Sequence, residues 1–219
     1  DFYTSAATGK LILKPGITNN TRYDGGAAPG VVKYKDQNGD GKITTADRTV
    51  IGNAMPKWFG GITNSFSFKG IDFSFMLQYS YGNDVFNATR QFATGSQDQR
   101  YNMLAEVADR WSPTNASNKV PSTKGYVKGD VYSRFVEDGS FLRLKNMTLG
   151  YSLPKKWINK IHISKLRIYG TAQNLFCISG YSGYDPEVST AASNPMTPGL
   201  DWGAYPKSRV FTFGLDVQF

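Results

Sequence analysis

Cysteine and histidine are almost missing from this chain, each occurring once, as Cys177 and His162. A single cysteine excludes an internal disulfide framework and leaves no thiolate cluster for zinc. A single histidine leaves one candidate base for a nucleophile, histidine and acid triad. His162 lies between Ile161 and Ile163 in a basic turn with no acid nearby in sequence, so no such triad is readable. There is no run of 18 apolar residues, which excludes a transmembrane helix. Asp1 opens without a basic and then apolar leader, so any signal peptide is expected to have been removed or to lie upstream. Acids are in the minority, 17 against 25 Lys plus Arg, for a net charge of +8. The basic residues are scattered, the densest group being Lys155, Lys156, Lys160, Lys165 and Arg167. A nucleic-acid footprint is a tighter stripe with aromatic platforms, so no nucleic-acid partner is expected.

What the chain has in quantity is aromatic side chains, 14 Phe, 13 Tyr and 4 Trp, with 23 Gly. That mix suits many strands and long polar loops. Period-two alternation puts successive side chains on opposite strand faces. It is clearest in 71–81, where Ile71, Phe73, Phe75, Leu77, Tyr79 and Tyr81 alternate with Asp72, Ser74, Met76, Gln78 and Ser80. In the preceding run, Ile62, Phe66 and Phe68 share a face with the exception Asn64, and Gly70 alone separates the two runs, as in a hairpin. The tail repeats the pattern with Phe211, Phe213, Leu215, Val217 and Phe219, and 164–176 carries Leu166, Ile168, Gly170 and Ala172 on one face. In 141–153, Met147, Leu149, Tyr151 and Leu153 keep phase, but Arg143 and Lys145 share their parity, which predicts a bulge or a strand end projecting above the apolar band.

The expected fold is all-β and antiparallel, with strands at about 59–69, 71–81, 140–153, 163–176 and 208–219, and with 1–58 as a loop region. Strands of roughly 9 to 11 residues suit a bilayer core, and short turns alternating with long loops (about 82–140 and 177–208) are the signature of an outer-membrane barrel. Counting back from Phe219 on the periplasmic side places both long loops, and the 36–48 segment, outside. The competing soluble reading is a β-sandwich, a calcium-dependent surface binding module. A sandwich seldom carries a loop of nearly 60 residues, and the one calcium-type loop falls short of the two that a dockerin-type module has.

That loop is DQNGDGKITTADR, 36–48. Asp36, Asn38 and Asp40 stand at positions 1, 3 and 5 of a calcium loop, with Gly41 at 6 for the turn, the Lys42 carbonyl at 7, Thr44 at 9 and Asp47 at 12. The spacing gathers hard oxygens around one point and makes Ca²⁺ the expected structural ion. The alternative is a metal-free Asp/Asn/Gly turn held by its own side-chain hydrogen bonds. Neither flank reads as helix, which argues against a sensor. Asp185 and Glu187 could imitate a glycosidase pair, but two residues apart beside Pro186 they read as a rigid loop tip. Arg48, Arg143 and Arg209 could each clamp an acid or lie in the rim.

Beside this reading stands a resemblance. The run YKDQNGDGKITTADRTVIGNAMPKWFGGITNSFSFKGIDFSF (34–75), with FLRLKNMTLGYSLP (141–154), the GYSGYDPEVS loop (180–189) and YPKSRVFTFGLDVQF (205–219), resembles the C-terminal part of the SusC/RagA class of TonB-linked outer-membrane transporters of Bacteroidetes. The resemblance implies a plugged transmembrane barrel of about 22 strands that imports oligosaccharides or peptides. It also implies a SusD-like lipoprotein lid, energy from TonB acting through a plug and TonB box absent from this chain, an outer-membrane location, and no catalysis. Aromatic faces would meet membrane lipid, and five or six strands would need the remainder of the barrel to close.

Overall fold

The computed structural model describes residues 1–19, 21, 26–95, 100–122, 125–127, 129–159, 162–188 and 196–219; Lys160 and Ile161 of the basic turn, and Ser189 of the 180–189 loop, lie outside this set. The chain forms two compact units, Asp1–Ile51 with Asn87–Phe135 and Gly52–Phe86 with Val136–Phe219.

The first unit is mostly irregular. Strands β1 (Phe2–Thr4) and β2 (Leu11–Leu13) pair antiparallel, and helix α1 spans Ala88–Gly95. The Asn87 side chain caps that helix by accepting from the Arg90 N–H at 2.8 Å. Tyr126, Tyr132 and Phe135 pack as an aromatic cluster, with ring centroids 5.2 to 6.4 Å apart. Arg90 grips Glu106 with two bonds of 2.8 Å, and that grip holds the Glu106 carboxyl below the usual carboxylate range.

The second unit is built on a five-stranded antiparallel sheet in the order β10-β8-β7-β4-β3. Its strands are β3 (Trp58–Phe68), β4 (Ile71–Tyr81), β7 (Phe141–Ser152), β8 (Lys165–Ser179) and β10 (Val210–Gln218). A smaller sheet, β6-β5-β9, joins β5 (Asp84–Asn87), β6 (Val136–Asp138) and β9 (Leu200–Asp201). Between β7 and β8 lies a single helical turn, α2 (Lys155–Ile158). The β3–β4 turn is Lys69–Gly70, both at positive φ (48° and 87°), as a two-residue hairpin of matching twist requires. It is one residue longer than the sequence suggests.

Register turns the alternation into two continuous faces. Phe66, Phe73, Leu149, Gly170 and Phe213 lie in one cross-strand row, and Phe68, Ile71, Tyr151, Ile168 and Leu215 in the next. The opposite face carries rows such as Ser65, Ser74, Thr148, Thr171 and Thr212. The out-of-phase half of β7 is a bulge: Lys145 has no partner in the register between Leu144 and Asn146. Across it, Leu142 and Leu144 rejoin the apolar row positions of Tyr79 and Leu77, while Arg143 falls opposite Gln78 and Cys177 on the polar face. The bulged Lys145 donates to Gln78 at 2.7 Å. On β8 the same step runs from Gln173 to Phe176, with Asn174 at φ 51°.

No second sheet among the described residues covers the aromatic face, where Phe213 is 84 % exposed and Phe68 69 %. A sandwich requires that cover, so the soluble alternative has no counterpart in the described fold. No helix among the described residues is long and apolar enough to cross a membrane.

On the polar face Arg167 grips Asp72 with both nitrogens of its guanidinium edge and lies over the Tyr169 ring, 4.9 Å from its centroid. The pair spans Gly150, where an added Cβ would stand 2.5 Å from both Arg167 Nη2 and Asp72 Oδ1. Gly214 likewise makes room for the Tyr169 ring. We expect Gly150→Ala to push the ends of the Arg167 and Asp72 side chains apart and break their ion pair, a small destabilisation because both ends are flexible and reach solvent. It should lower the temperature at which the folded protein loses its compact gel mobility, while Gly180→Ala, whose Cβ would meet nothing within 4 Å, leaves it unchanged.

Candidate functional site

In the 36–47 loop every acidic side chain is tied to backbone. Asp36 accepts from the N–H groups of Gly39 (2.7 Å) and Gly41 (2.8 Å), both glycines standing at positive φ. Asn38 Oδ1 accepts from Asp40 N, its Nδ2 donates to Asp40 Oδ2, and Asp40 Oδ1 accepts from Lys42 N at 2.8 Å. Asp47 closes the loop, one oxygen accepting from Thr44 N (2.7 Å) and the other from Gln37 N (2.9 Å). Thr44 Oγ1 accepts from Ala46 N–H at 3.1 Å, and a capping box closes on the short Thr45–Asp47 turn. The Thr44 bond first, and the Gln37 bond next, hold the Asp47 carboxyl below its usual range. Its staple is therefore present at neutral pH and is lost as pH falls through that lowered value.

Among the described residues no three His, Cys, Asp or Glu side chains gather into a metal-binding group. Each carboxylate oxygen that accepts one N–H keeps a second lone pair. Lys42 can contribute only its carbonyl.

The same loop forms one wall of a cleft of about 740 Å³ within the first unit. Gln37, Ile43 and Asp47 line it together with Asp130, Val131 and Tyr132. Among the lining residues the Tyr34 hydroxyl donates to Asp130 Oδ2 at 2.7 Å and contacts the Tyr132 hydroxyl at 3.1 Å. Burial, and then the Asp130 bond, push the Tyr34 hydroxyl far above its ordinary pKa, so it stays protonated.

In the second unit the other carboxylate pair proves structural. Arg143 and Asp185 meet at 2.5 Å with side chains only 4 % and 5 % exposed. Asp185 also accepts from Glu187 N at 2.9 Å, while Glu187 lies 3.5 Å from Arg143 Nε and pairs with Lys207. The Arg143 guanidinium lies over the Phe141 ring, 5.5 Å from its centroid. Of the three arginines singled out in sequence, Arg143 is thus the one that clamps a buried acid. Neighbouring bonds fix the rest of the loop: Tyr181 to Asp201 (2.5 Å), and Ser182 N and Oγ to Glu137 (2.9 and 2.8 Å). Burial first, then Asp201, raise the Tyr181 hydroxyl well above its usual pKa. His162 is exposed, at φ 58° in its turn.

No protein-family model matches the chain. It is 36 % identical over 200 residues to TonB-dependent receptor P3 of Formosa agariphila, covering 89 % of this chain and 20 % of the relative. It is 32 % identical over 199 residues to TonB-dependent receptor SusC of Bacteroides thetaiotaomicron, covering 90 % and 18 %. Among solved structures it resembles a chain of the RagAB peptide importer in its closed-closed state, with TM-score 0.70, 25 % identity, and coverage of 86 % of this chain and 21 % of that one. The chain spans about a fifth of the length of the curated relatives it matches. Its relatives are receptors and transporters, not enzymes.

Removing one partner of the buried pair leaves an uncompensated charge, at a cost of about 3 to 5 kcal/mol. Arg143→Met should therefore free the 180–187 loop and raise its cleavage by added protease at least tenfold. Arg209→Met, outside the cluster, should leave cleavage at the wild-type rate.

Proposed function

We propose that this chain, a homologue of the TonB-dependent receptors of the SusC/RagA class, is part of the C-terminal wall of an outer-membrane import barrel of about 22 strands. The observation that carries the reading is the sheet itself: five long strands, one face aromatic and the other polar, with the aromatic face uncovered and the edges on β3 and β10 unpaired among the described residues. At about 3.3 Å per residue, an 11-residue strand is roughly 36 Å long, and tilted by about 45° it covers an apolar band of about 25 Å. The aromatic face meets lipid, the polar face lines a wet lumen, and the remaining strands close the edges. The long loops lie outside, where a SusD-like lipoprotein caps the mouth. TonB acts through a plug contributed by other parts of the protein. The cargo is an oligosaccharide or a short peptide, as suits relatives that include SusC and the RagAB peptide importer.

Within this reading the 36–47 loop holds a structural Ca²⁺ through Asp36, Asn38, Asp40, the Lys42 carbonyl and Asp47. Its support is the order of hard oxygens along the loop and the N–H bonds that already orient them. The ion would stiffen an external loop and carry no chemistry.

Two measurements test these statements separately. The protein should partition with the outer membrane as a heat-modifiable species; recovery in a soluble fraction would contradict the barrel reading. Asp36→Ala with Asp40→Ala should abolish Tb³⁺ luminescence sensitised by the protein and displaced by Ca²⁺, while membrane insertion stays intact. Equal Tb³⁺ binding by wild type and variant would exclude the loop as the site.

A further inference from the structure

One end of the five-stranded sheet carries positive charge that its own acids do not balance. The Lys69–Gly70 turn, the 153–164 connection and the end of β10 lie side by side there: Ser152 N donates to Gly70 O at 2.7 Å, and Ser164 N donates to Gln218 O at 2.8 Å. The segment 153–166 holds four lysines and a histidine and no Asp or Glu. The five strands themselves contain two acids, Asp72 and Asp216. Each is matched charge for charge, Asp72 by Arg167 and Asp216 by Lys165 at 3.7 Å. Lys69, Lys155 and Lys156 are left over, all exposed and in no ion pair among the described residues. Against these three stands the single carboxylate of the last residue, Phe219, so a positive excess remains at this end.

The apolar groups beside these cations narrow the choice of ligand. The 153–164 connection is pinned by Ile158, 2 % exposed, while its neighbour Trp157 is 64 % exposed. Trp157 N donates to Pro154 O at 3.0 Å, which fixes the turn that presents it. The Lys69 ammonium lies 5.1 Å from the centroid of the Phe68 ring, and Phe68 belongs to the aromatic face, so this cation stands where that face ends. An open indole among lysines, at the rim of an apolar face, suits the boundary between hydrocarbon and headgroups. A ligand that carries acyl chains and a phosphate meets the aromatic rows and the cations at once, which a free anion does not. We propose that this end of the sheet binds anionic phospholipids of the periplasmic leaflet, with Lys69, Lys155 and Lys156 taking the phosphate headgroups and Trp157 lying at the level of the glycerol backbone. The proposal rests on the import reading above, which puts the sheet in the outer membrane with this end on the periplasmic side.

The test uses the full-length transporter in phosphatidylcholine bilayers, with bimane attached at Asn159→Cys on the exposed turn and every other cysteine replaced. Quenching of the bimane is compared for phosphatidylglycerol and phosphatidylcholine that carry a doxyl group near the head of one chain, each at the same fraction of the bilayer. We expect the phosphatidylglycerol probe to quench about threefold more strongly. Lys69→Gln with Lys155→Gln and Lys156→Gln should bring the two probes to equality, and the corresponding three Lys→Arg changes should keep the preference. Lys155→Gln with Lys156→Gln, away from the hairpin, should already lower it. Equal quenching by the two probes in wild type, or a preference unchanged in the Gln variants, would overturn the proposal. So would a preference abolished by inorganic phosphate but not by chloride at equal ionic strength, which would make the ligand a free anion. Flotation with the bilayers separates the two levels. A protein that floats and shows no preference counts against the headgroup site alone, and one that does not associate with bilayers counts against the barrel.

Discussion

An apolar sheet face left uncovered, bounded by strand edges left unpaired among the described residues, is the condition to which the rest of this chain answers. Leaving one Phe or Leu in water instead of burying it forgoes about 1.5 to 3 kcal/mol. The rows through Phe66, Phe73, Leu149 and Phe213, and through Phe68, Ile71, Tyr151, Ile168 and Leu215, would make that loss many times over. Open edges on β3 and β10 add unpaired N–H and C=O groups that water tolerates at the risk of aggregation and lipid does not tolerate at all. A bilayer against the aromatic face and further strands against both edges satisfy the two demands together.

The polar side then becomes intelligible as the place for devices that lipid forbids. Arg167 and Asp72 cross Gly150 there, Thr148 meets Thr171 at 3.1 Å, and the bulged Lys145 reaches Gln78. Beyond the bulge, Arg143 is buried by a loop that brings its own carboxylates, Asp185 and Glu187. One inserted residue in β7 accomplishes this exchange of faces. It keeps Leu142 and Leu144 on the aromatic side while handing Arg143 to the acids.

Period-two alternation made the five strands and their apolar face legible in sequence, since that signal is local and each strand reports it alone. The parity break at Arg143 and Lys145 announced the bulge for the same reason. The partners of Arg143 were not legible, because Asp185 is joined to it by tertiary packing across 42 positions. Glycine identity at 150 and 214 carried no readable meaning until register placed an ion pair and a ring above them. Helix α1 was missed within the long segment after β4, where its eight residues give too few turns for a period to show. The order of donors from Asp36 to Asp47 was legible, and the bonds around it show a loop shaped by its own backbone N–H groups.

The central claim is that one sheet face meets lipid and the other meets water. It is tested most directly by nitroxide labels placed singly in the full-length protein in bilayers, at Phe66, Phe73, Leu149 and Phe213 and at Ser65, Ser74, Thr148 and Thr212. Collision with oxygen, which concentrates in lipid, and with a water-soluble nickel chelate is read at each position by electron paramagnetic resonance. The account predicts that oxygen dominates at the first four positions and the chelate at the second four, in a strict alternation. Equal ratios on the two faces, or chelate access at Phe73 and Phe213, would contradict it.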